Sequence, residues 1–215
     1  MLFGDIGADS LTGGEGNDNF YVDSDDILIS GGNGVDNMYW TEAVASANIN
    51  MATSSLEWAQ TLGGNDTLNG ATGSANLEVY AGAGTDIITG GSGNDFLWGE
   101  GGNDTITGNG GSDTLVGGTG ADTLTGGAGL DTLYANSGNG ADGALDTFVF
   151  TAGWGTDFVY DFENGTDKFN MTALGTNFGA LTVTTVGAHA QVSLGGNTFI
   201  VVGAAGQIDA GDFLF

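Results

Sequence analysis

The sequence predicts an all-β fold: a parallel β-roll, a β-solenoid with 18 residues per coil, closed by a C-terminal cap of antiparallel strands. Three observations predict it: a nine-residue repeat, a three-residue strand with an aliphatic centre at the end of each repeat, and period-2 strands after Met171. Composition agrees. Gly makes up 43 of 215 residues, which alone would suit a flexible chain, but 40% hydrophobic residues are too many for a solvated linker. The chain must bury a core, and with no Cys it does so without disulfides, thiolate zinc sites or thiol nucleophiles.

The repeat is clearest from Ala81 to Tyr134, where six nonapeptides run without interruption: AGAGTDIIT, GGSGNDFLW, GEGGNDTIT, GNGGSDTLV, GGTGADTLT and GGAGLDTLY. Gly holds the fourth position throughout (Gly84, Gly93, Gly102, Gly111, Gly120, Gly129) and the second in four units (Gly82, Gly91, Gly118, Gly127). These glycines permit the positive φ of a tight turn. Asp holds the sixth position (Asp86, Asp95, Asp104, Asp113, Asp122, Asp131), and an aliphatic residue the eighth (Ile88, Leu97, Ile106, Leu115, Leu124, Leu133). A three-residue strand spans only about 10 Å and buries nothing alone. Consecutive units must therefore alternate between two parallel sheets, with the eighth positions meeting between them.

Further copies place Asp9, Asp18, Asp36 and Asp66 toward the N-terminus, and Asp157 and Asp167 after the regular block. The chain thus divides into N-terminal repeats (1–39), divergent coils (40–80), the regular roll (81–134), degenerate repeats (135–170) and the cap (171–215). The Trp40–Gln60 segment and the Gly70–Tyr80 unit lack the Asp turn, and Ala135–Asp146 reads as a polar loop before a strand at Thr147–Phe150. Within the cap, strands are expected at Leu181–Val186, Ala190–Leu194 and Thr198–Val202, with Gly195-Gly196-Asn197 as a hairpin turn.

At 18 residues per coil, Asp86, Asp104 and Asp122 stack along one edge and Asp95, Asp113 and Asp131 along the other, each about 4.8 Å from the next. Uncompensated, each adjacent pair costs on the order of 3–4 kcal/mol at an effective dielectric near 20. A hard divalent cation removes that cost. Ca²⁺ accepts six or more oxygens in flexible geometry, and the glycine turns set backbone carbonyls beside the carboxylates; Mg²⁺ is too small and too reluctant to dehydrate. Asp18 and Asp36, also 18 apart, predict a similar N-terminal edge, whereas Asp9 has no counterpart at Ile27. The cluster Asp23-Ser24-Asp25-Asp26 lacks the glycine of an EF-hand loop and reads as a solvated turn or an incidental ligand.

The nonapeptide resembles the GGxGxDxUx repeat of the RTX (repeats-in-toxin) calcium-binding family, from Gly4 to Asn170. The resemblance implies a β-roll holding several Ca²⁺ ions, export by a type I secretion apparatus, folding on arrival in calcium-rich medium, and an extracellular or cell-surface location. The C-terminal segment looks like the cap of serralysin-type secreted proteins, and Asp212 followed by Phe213, Leu214 and Phe215 is similar to the family's type I secretion signal. A strand closing the solenoid is the compatible structural reading.

Charge excludes other classes. With 27 acids against a single Lys (Lys168), the net charge is −26, so nothing neutralises the phosphates of nucleic acid or anionic lipid. No apolar run is long enough for membrane insertion. The sequence has neither the HExxH zinc helix of serralysins nor the GxSxG elbow of RTX lipases, and the lone His189 has no partner for a dyad, so the chain reads as non-enzymatic. Outward positions form a largely threonine ladder on one face (Ile87, Thr89, Thr105, Thr107, Thr123, Thr125) and a row of Trp98, Val116 and Tyr134 on the other, with Tyr21 over Tyr39 repeating the aromatic arrangement. Ice binding would need ladders at the third and fifth turn positions, which are absent. The aromatic row suits carbohydrate, a protein partner, or simple mutual stacking. Two functions fit: a calcium-binding structural or surface-matrix protein assembling end to end as a homo-oligomer or filament, or the secretion and folding module of a larger enzyme or adhesin.

Overall fold

The computed structural model describes residues 1–26, 28–42, 46–137 and 142–215. Successive repeats alternate between two parallel sheets, as the strand length requires. The larger has twelve strands. Nine are parallel and stacked in chain order: Leu2–Phe3, Asn19–Val22, Asn37–Trp40, Trp58–Gln60, Glu78–Tyr80, Phe96–Gly101, Thr114–Thr119, Thr132–Tyr134 and Thr156–Tyr160. The other sheet has eight, from Asn48–Asn50 through Thr67–Asn69, Ile87–Thr89, Thr105–Gly111, Thr123–Gly129, Thr147–Val149 and Lys168–Asn170 to Phe213–Leu214. A separate pair, Ser10–Glu15 with Leu28–Asn33, belongs to the first coils.

Within the regular block the register is one coil of 18 residues: Leu97 faces Leu115 and Leu115 faces Leu133, while Ile88 faces Ile106 and Ile106 faces Leu124. All six side chains are fully buried, and each contributes roughly 1.5–3 kcal/mol. The first and last strands of the block, Ile87–Thr89 and Thr132–Tyr134, have the three residues expected, and the four between run six or seven because pairing continues around the glycine turn, with Glu100 facing Gly118 and Asn109 facing Gly127. Insertions are absorbed in the turns. Leu124 pairs with Phe148 and Leu133 with Val159, so the stacking survives where the period of 18 does not.

The divergent segment keeps the architecture. A single helical turn at Met51–Ser54, capped by the Asn50 side chain on the Thr53 N–H, lies against the strands Leu28–Asn33, Asn48–Asn50 and Thr67–Asn69 and buries Met51. Toward the C-terminus the core turns aromatic, with Phe148, Phe169 and Phe199 fully buried. Asn197–Val201 joins Thr156–Tyr160 in parallel and leads antiparallel into His189–Leu194 and Thr182–Val186. Gly195 and Gly196, at φ 62° and 98°, make the tight hairpin turn. The final strand, Phe213–Leu214, closes the eight-stranded sheet against Lys168–Asn170. No described helix is long and apolar enough to cross a membrane.

Candidate metal sites along the two edges

Each sheet begins its strand just after the sixth repeat position, so the aspartates line up at the two edges where turn becomes strand. On one edge Asp66, Asp86, Asp104, Asp122, Asp146 and Asp167 form a column. The N–H of each donates to the Oδ1 of the next at 2.7–3.0 Å. On the other edge Asp95, Asp113, Asp131 and Asp157 are joined in the same way at 2.8–3.1 Å, and Asp18 donates to Asp36 at 2.8 Å. The ten column members from Asp66 to Asp167 are all buried, with at most 3% of their surface exposed.

Oδ2 of Asp95 and Asp167 accepts from the Gly91 and Glu163 N–H groups at 2.8 and 2.7 Å, but in seven other aspartates hydrogen bonding uses one carboxylate oxygen and leaves the other. Oδ2 of Asp36, Asp66, Asp86, Asp104, Asp113, Asp122 and Asp131 is buried with no hydrogen-bond partner. A buried, unpaired acceptor on an ionisable group is costly unless a cation meets it. The space it faces is set by the first glycine of each repeat. A Cβ on Gly108 would strike Asp113 Oδ2 and lie 2.6 Å from the Gly126 carbonyl oxygen of the next coil. Gly90 with Asp95 and Gly108, and Gly99 with Asp104 and Gly117, repeat the arrangement, as do Gly13 with Asp18 and Gly31. Carboxylate and carbonyl oxygens therefore converge on a niche that only glycine leaves free, and this hard-oxygen donor set fits Ca²⁺. No group of three acidic or histidine side chains gathers around one point among the described residues, so carbonyl oxygens must supply much of any coordination shell.

Gly82, Gly84, Gly102, Gly111, Gly118, Gly120, Gly127 and Gly129 have positive φ, and a Cβ on Gly102 would collide with the Gly84 carbonyl below it. Gly91 and Gly93 lie against the carbonyls of Gly73 and Ala75. Where a Cβ on a first-position glycine would meet an aspartate, the carbonyl it also meets is that of a first-position residue in the next coil, Gly108, Gly117 or Gly126, which the sequence reading did not single out. It also passed over Asp146, assigned to a loop, and Glu57, whose carboxylate takes the Asp36 N–H at 2.8 Å. Asp9 keeps its place in the first coil, but the carboxylate against Gly4 is that of Asp26, which also accepts from the Asp9 N–H at 3.3 Å. In the Gly70 unit the Leu77 side chain fills the niche, so an apolar plug interrupts that edge.

Burial is the largest influence on these carboxyls. It pushes Asp86 and Asp113 up to about 7, helped by neighbouring column carboxylates and opposed by the backbone hydrogen bond each accepts. Asp122 and Asp157 rise to about 8 for the same reasons, Asp146 to about 7, and Asp104 and Asp167 to about 6. His189, by contrast, stands in the cap with Nδ1 accepting from the Gly203 N–H at 3.0 Å, a satisfied strand histidine.

The RTX calcium-binding nonapeptide repeat matches residues 1–26, 57–74, 80–115 and 107–141 in four copies. Among solved structures, the chain is similar to the AlgE6R2 subunit of a mannuronan C5-epimerase from Azotobacter vinelandii, at 29% identity and a TM-score of 0.45, over 60% of this chain and 91% of that one. It is also similar to the extracellular lipase LipA from Serratia marcescens, at 15% identity and a TM-score of 0.42, over 92% of this chain but only 40% of the lipase. No curated protein matches by sequence.

Proposed function

The chain belongs to the RTX calcium-binding nonapeptide repeat family, and from that premise we propose that it is a non-enzymatic, secreted scaffold whose folding is completed by Ca²⁺ outside the cell. The observation that carries this is the pair of aspartate columns with buried, unpartnered Oδ2 atoms facing glycine niches. Bound calcium would neutralise the columns and take oxygen from Asp Oδ2 and first-position carbonyls. The chain's own contribution is to hold those oxygens in register through the Oδ1 ladder. Intracellular calcium is too scarce to fill sites of extracellular-module affinity, with Kd of about 10⁻⁴–10⁻³ M, so the chain would stay expanded until exported.

Export through a type I apparatus, with Asp212–Phe215 as part of its signal, and end-to-end association through the first-coil edge strands Leu2–Phe3 and Ser10–Glu15 belong to the same proposal. Edge strands present unpaired backbone groups, and a charge of −26 opposes their meeting until calcium is bound. At neutral pH, chelation should abolish the β signature in circular dichroism. Ca²⁺ should restore it and Mg²⁺ at equal concentration should not. A β-rich spectrum indifferent to chelator would refute the proposal.

A further inference from the structure

The chain's charge is unevenly spread. Phe169 through Ile208 contain no Asp or Glu, the longest acid-free run in a chain with 27 acids, and His189 is the only ionisable side chain within it. This uncharged segment ends the molecule on an open strand. Beyond Thr156–Tyr160 the larger sheet adds Asn197–Val201, His189–Leu194 and Thr182–Val186, whereas beyond Lys168–Asn170 the smaller adds only Phe213–Leu214. Thr182–Val186 is therefore the outermost strand at this end.

Its inner edge is fully used. Successive pairs from Thr182 with Ser193 to Val186 with His189 join it antiparallel to its neighbour without a bulge. The two-residue turn Gly187-Ala188 makes Val186 and His189 a hydrogen-bonded pair, and the alternation of an antiparallel ladder gives Thr184 and Thr182 the same role. The backbone N–H and C=O of Val183 and Thr185 consequently point away from the sheet, where no described strand meets them. The usual defences of an edge are missing here. The strand has no charge and no Pro, and all of its residues but Val183 are exposed. Leu2–Phe3, Asn48–Asn50 and Phe213–Leu214 are only two or three residues long, and Ser10–Glu15 carries a Glu.

We propose that this edge pairs with the same edge of a second copy of the chain, antiparallel about a two-fold axis at Thr184, joining two solenoids tail to tail through one continuous sheet. The strand complements itself in one register. With Thr184 opposite its own counterpart, Val183 meets the partner's Thr185 and Thr185 meets the partner's Val183, both as hydrogen-bonded pairs, so every outward N–H and C=O of the two strands is used. Moving the axis to Val183 would call on the Leu181 N–H, which already donates to the Phe178 carbonyl at 3.0 Å, and moving it to Thr185 would call on the turn residue Gly187. Charge favours the same partner. Along the aspartate columns or the first coils a second copy would set acid against acid, with −26 on each chain, whereas neither copy brings an acid to this strand or its neighbour. An isologous contact of this kind closes at two. It uses neither first-coil strand and so stands apart from the end-to-end association proposed above.

The test uses the full chain in calcium. One strand pair makes a small, weak interface, so sedimentation is followed up to about 1 mM chain, and a reversible dimer is expected. Thr184→Lys sets two like charges against each other on the axis. Thr185→Pro removes one outward N–H and leaves the inner ladder intact. Each should raise the dimer dissociation constant by about tenfold or more, with the calcium midpoint of folding unchanged. Because the chain has no Cys, Thr184→Cys supplies one thiol per copy. In this register the two thiols oppose each other at a non-hydrogen-bonded pair, with Cα atoms about 4.5 Å apart, close enough for a disulfide. Thr184→Cys should therefore oxidise to a covalent dimer about tenfold faster than Thr182→Cys, whose thiol would face the partner's Val186. A chain that stays monomeric to about 1 mM overturns the proposal and leaves the edge to a strand of another protein. A dimer that survives either substitution at Thr184 or Thr185 also overturns it and assigns association to the first-coil strands. Equal oxidation of the two Cys variants overturns the register and the proposal with it.

Discussion

Asp104 has two neighbours in its column and uses its carboxylate and its amide on different ones. Oδ1 accepts from the Asp86 N–H, while its own N–H donates to Asp122 Oδ1, both at 2.8 Å. Truncation to Ala orphans the Asp86 N–H and removes an oxygen from the edge, so Asp104→Ala should raise the calcium midpoint of folding more than Asp9→Ala, whose carboxylate stands outside the columns. Equal shifts in a dichroism titration would argue against shared, stacked sites. Glycines offer a second contrast. A methyl on Gly108 would occupy the niche between Asp113 Oδ2 and the Gly126 carbonyl, whereas one on Gly110 meets nothing closer than the Ala128 carbonyl at 3.9 Å. Gly108→Ala should therefore weaken calcium binding several-fold, and Gly110→Ala should leave it unchanged; a reversed order would mean that the niche is misplaced. Aspartates spaced by 18 were legible in the sequence because nothing interrupts the period between Ala81 and Tyr134. Asp146 was not, since it reaches Asp122 across 24 residues and only the strand pairing of Leu124 with Phe148 reveals it. Glu57 escaped because a longer side chain does an aspartate's work from a position without the motif.

At the level of elements, alternation of short strands between two sheets follows from the repeat alone, and the cap hairpins appear within a residue or two of the expected bounds. The C-terminal tail is where sequence said least, because a two-residue strand has no periodicity to read. Phe213–Leu214 nonetheless pairs with Lys168–Asn170, the Met171 N–H donates to the Leu214 carbonyl at 2.8 Å, and the Phe213 ring packs 5.3 Å from that of Phe169. Asp209 and Asp212 fix the approach to this strand through a reciprocal capping box. Deleting Asp212–Phe215 should expose Phe169 and loosen the last coils, lowering stability by about 2–4 kcal/mol from the lost aromatic burial. The Ala81–Tyr134 block has its own buried Ile and Leu stack and should stay folded in calcium. Hydrogen exchange resolved along the chain tests this: fast exchange confined to the C-terminal coils is expected. Melting of the whole roll would show that the tail holds the solenoid together. The export role proposed above further predicts that the same deletion blocks type I secretion.

For the whole molecule, the buried columns make protons and calcium alternative solutions to one electrostatic problem. In the unfolded chain these aspartates ionise near 3.9. Folded without metal, burial raises them to about 6 for Asp104 and Asp167, about 7 for Asp86, Asp113 and Asp146, and about 8 for Asp122 and Asp157, with repulsion from nearby carboxylates adding to it at all of these but Asp104. Between about pH 4 and pH 8 the folded state therefore binds more protons than the unfolded one, and metal-free stability falls as pH rises. Their contribution is fully present below the unfolded value and is lost as pH passes through the folded values. Calcium reverses the sign, because it needs the ionised carboxylates and competes with protons for Oδ2. The metal-free chain should accordingly be unfolded at pH 8 and gain β structure on acidification toward pH 5, still above the isoelectric point of 4.1. Over the same range the calcium midpoint should move to higher concentration. Calcium added to the acid-folded chain near pH 6 should release protons, and calcium added to the ionised, unfolded chain near pH 8 should release almost none. Dichroism with a parallel pH-stat titration measures both effects. A metal-free chain that loses order steadily between pH 8 and pH 5 would mean that the aspartates are not buried in the folded state, and the columns could not then serve as the calcium switch.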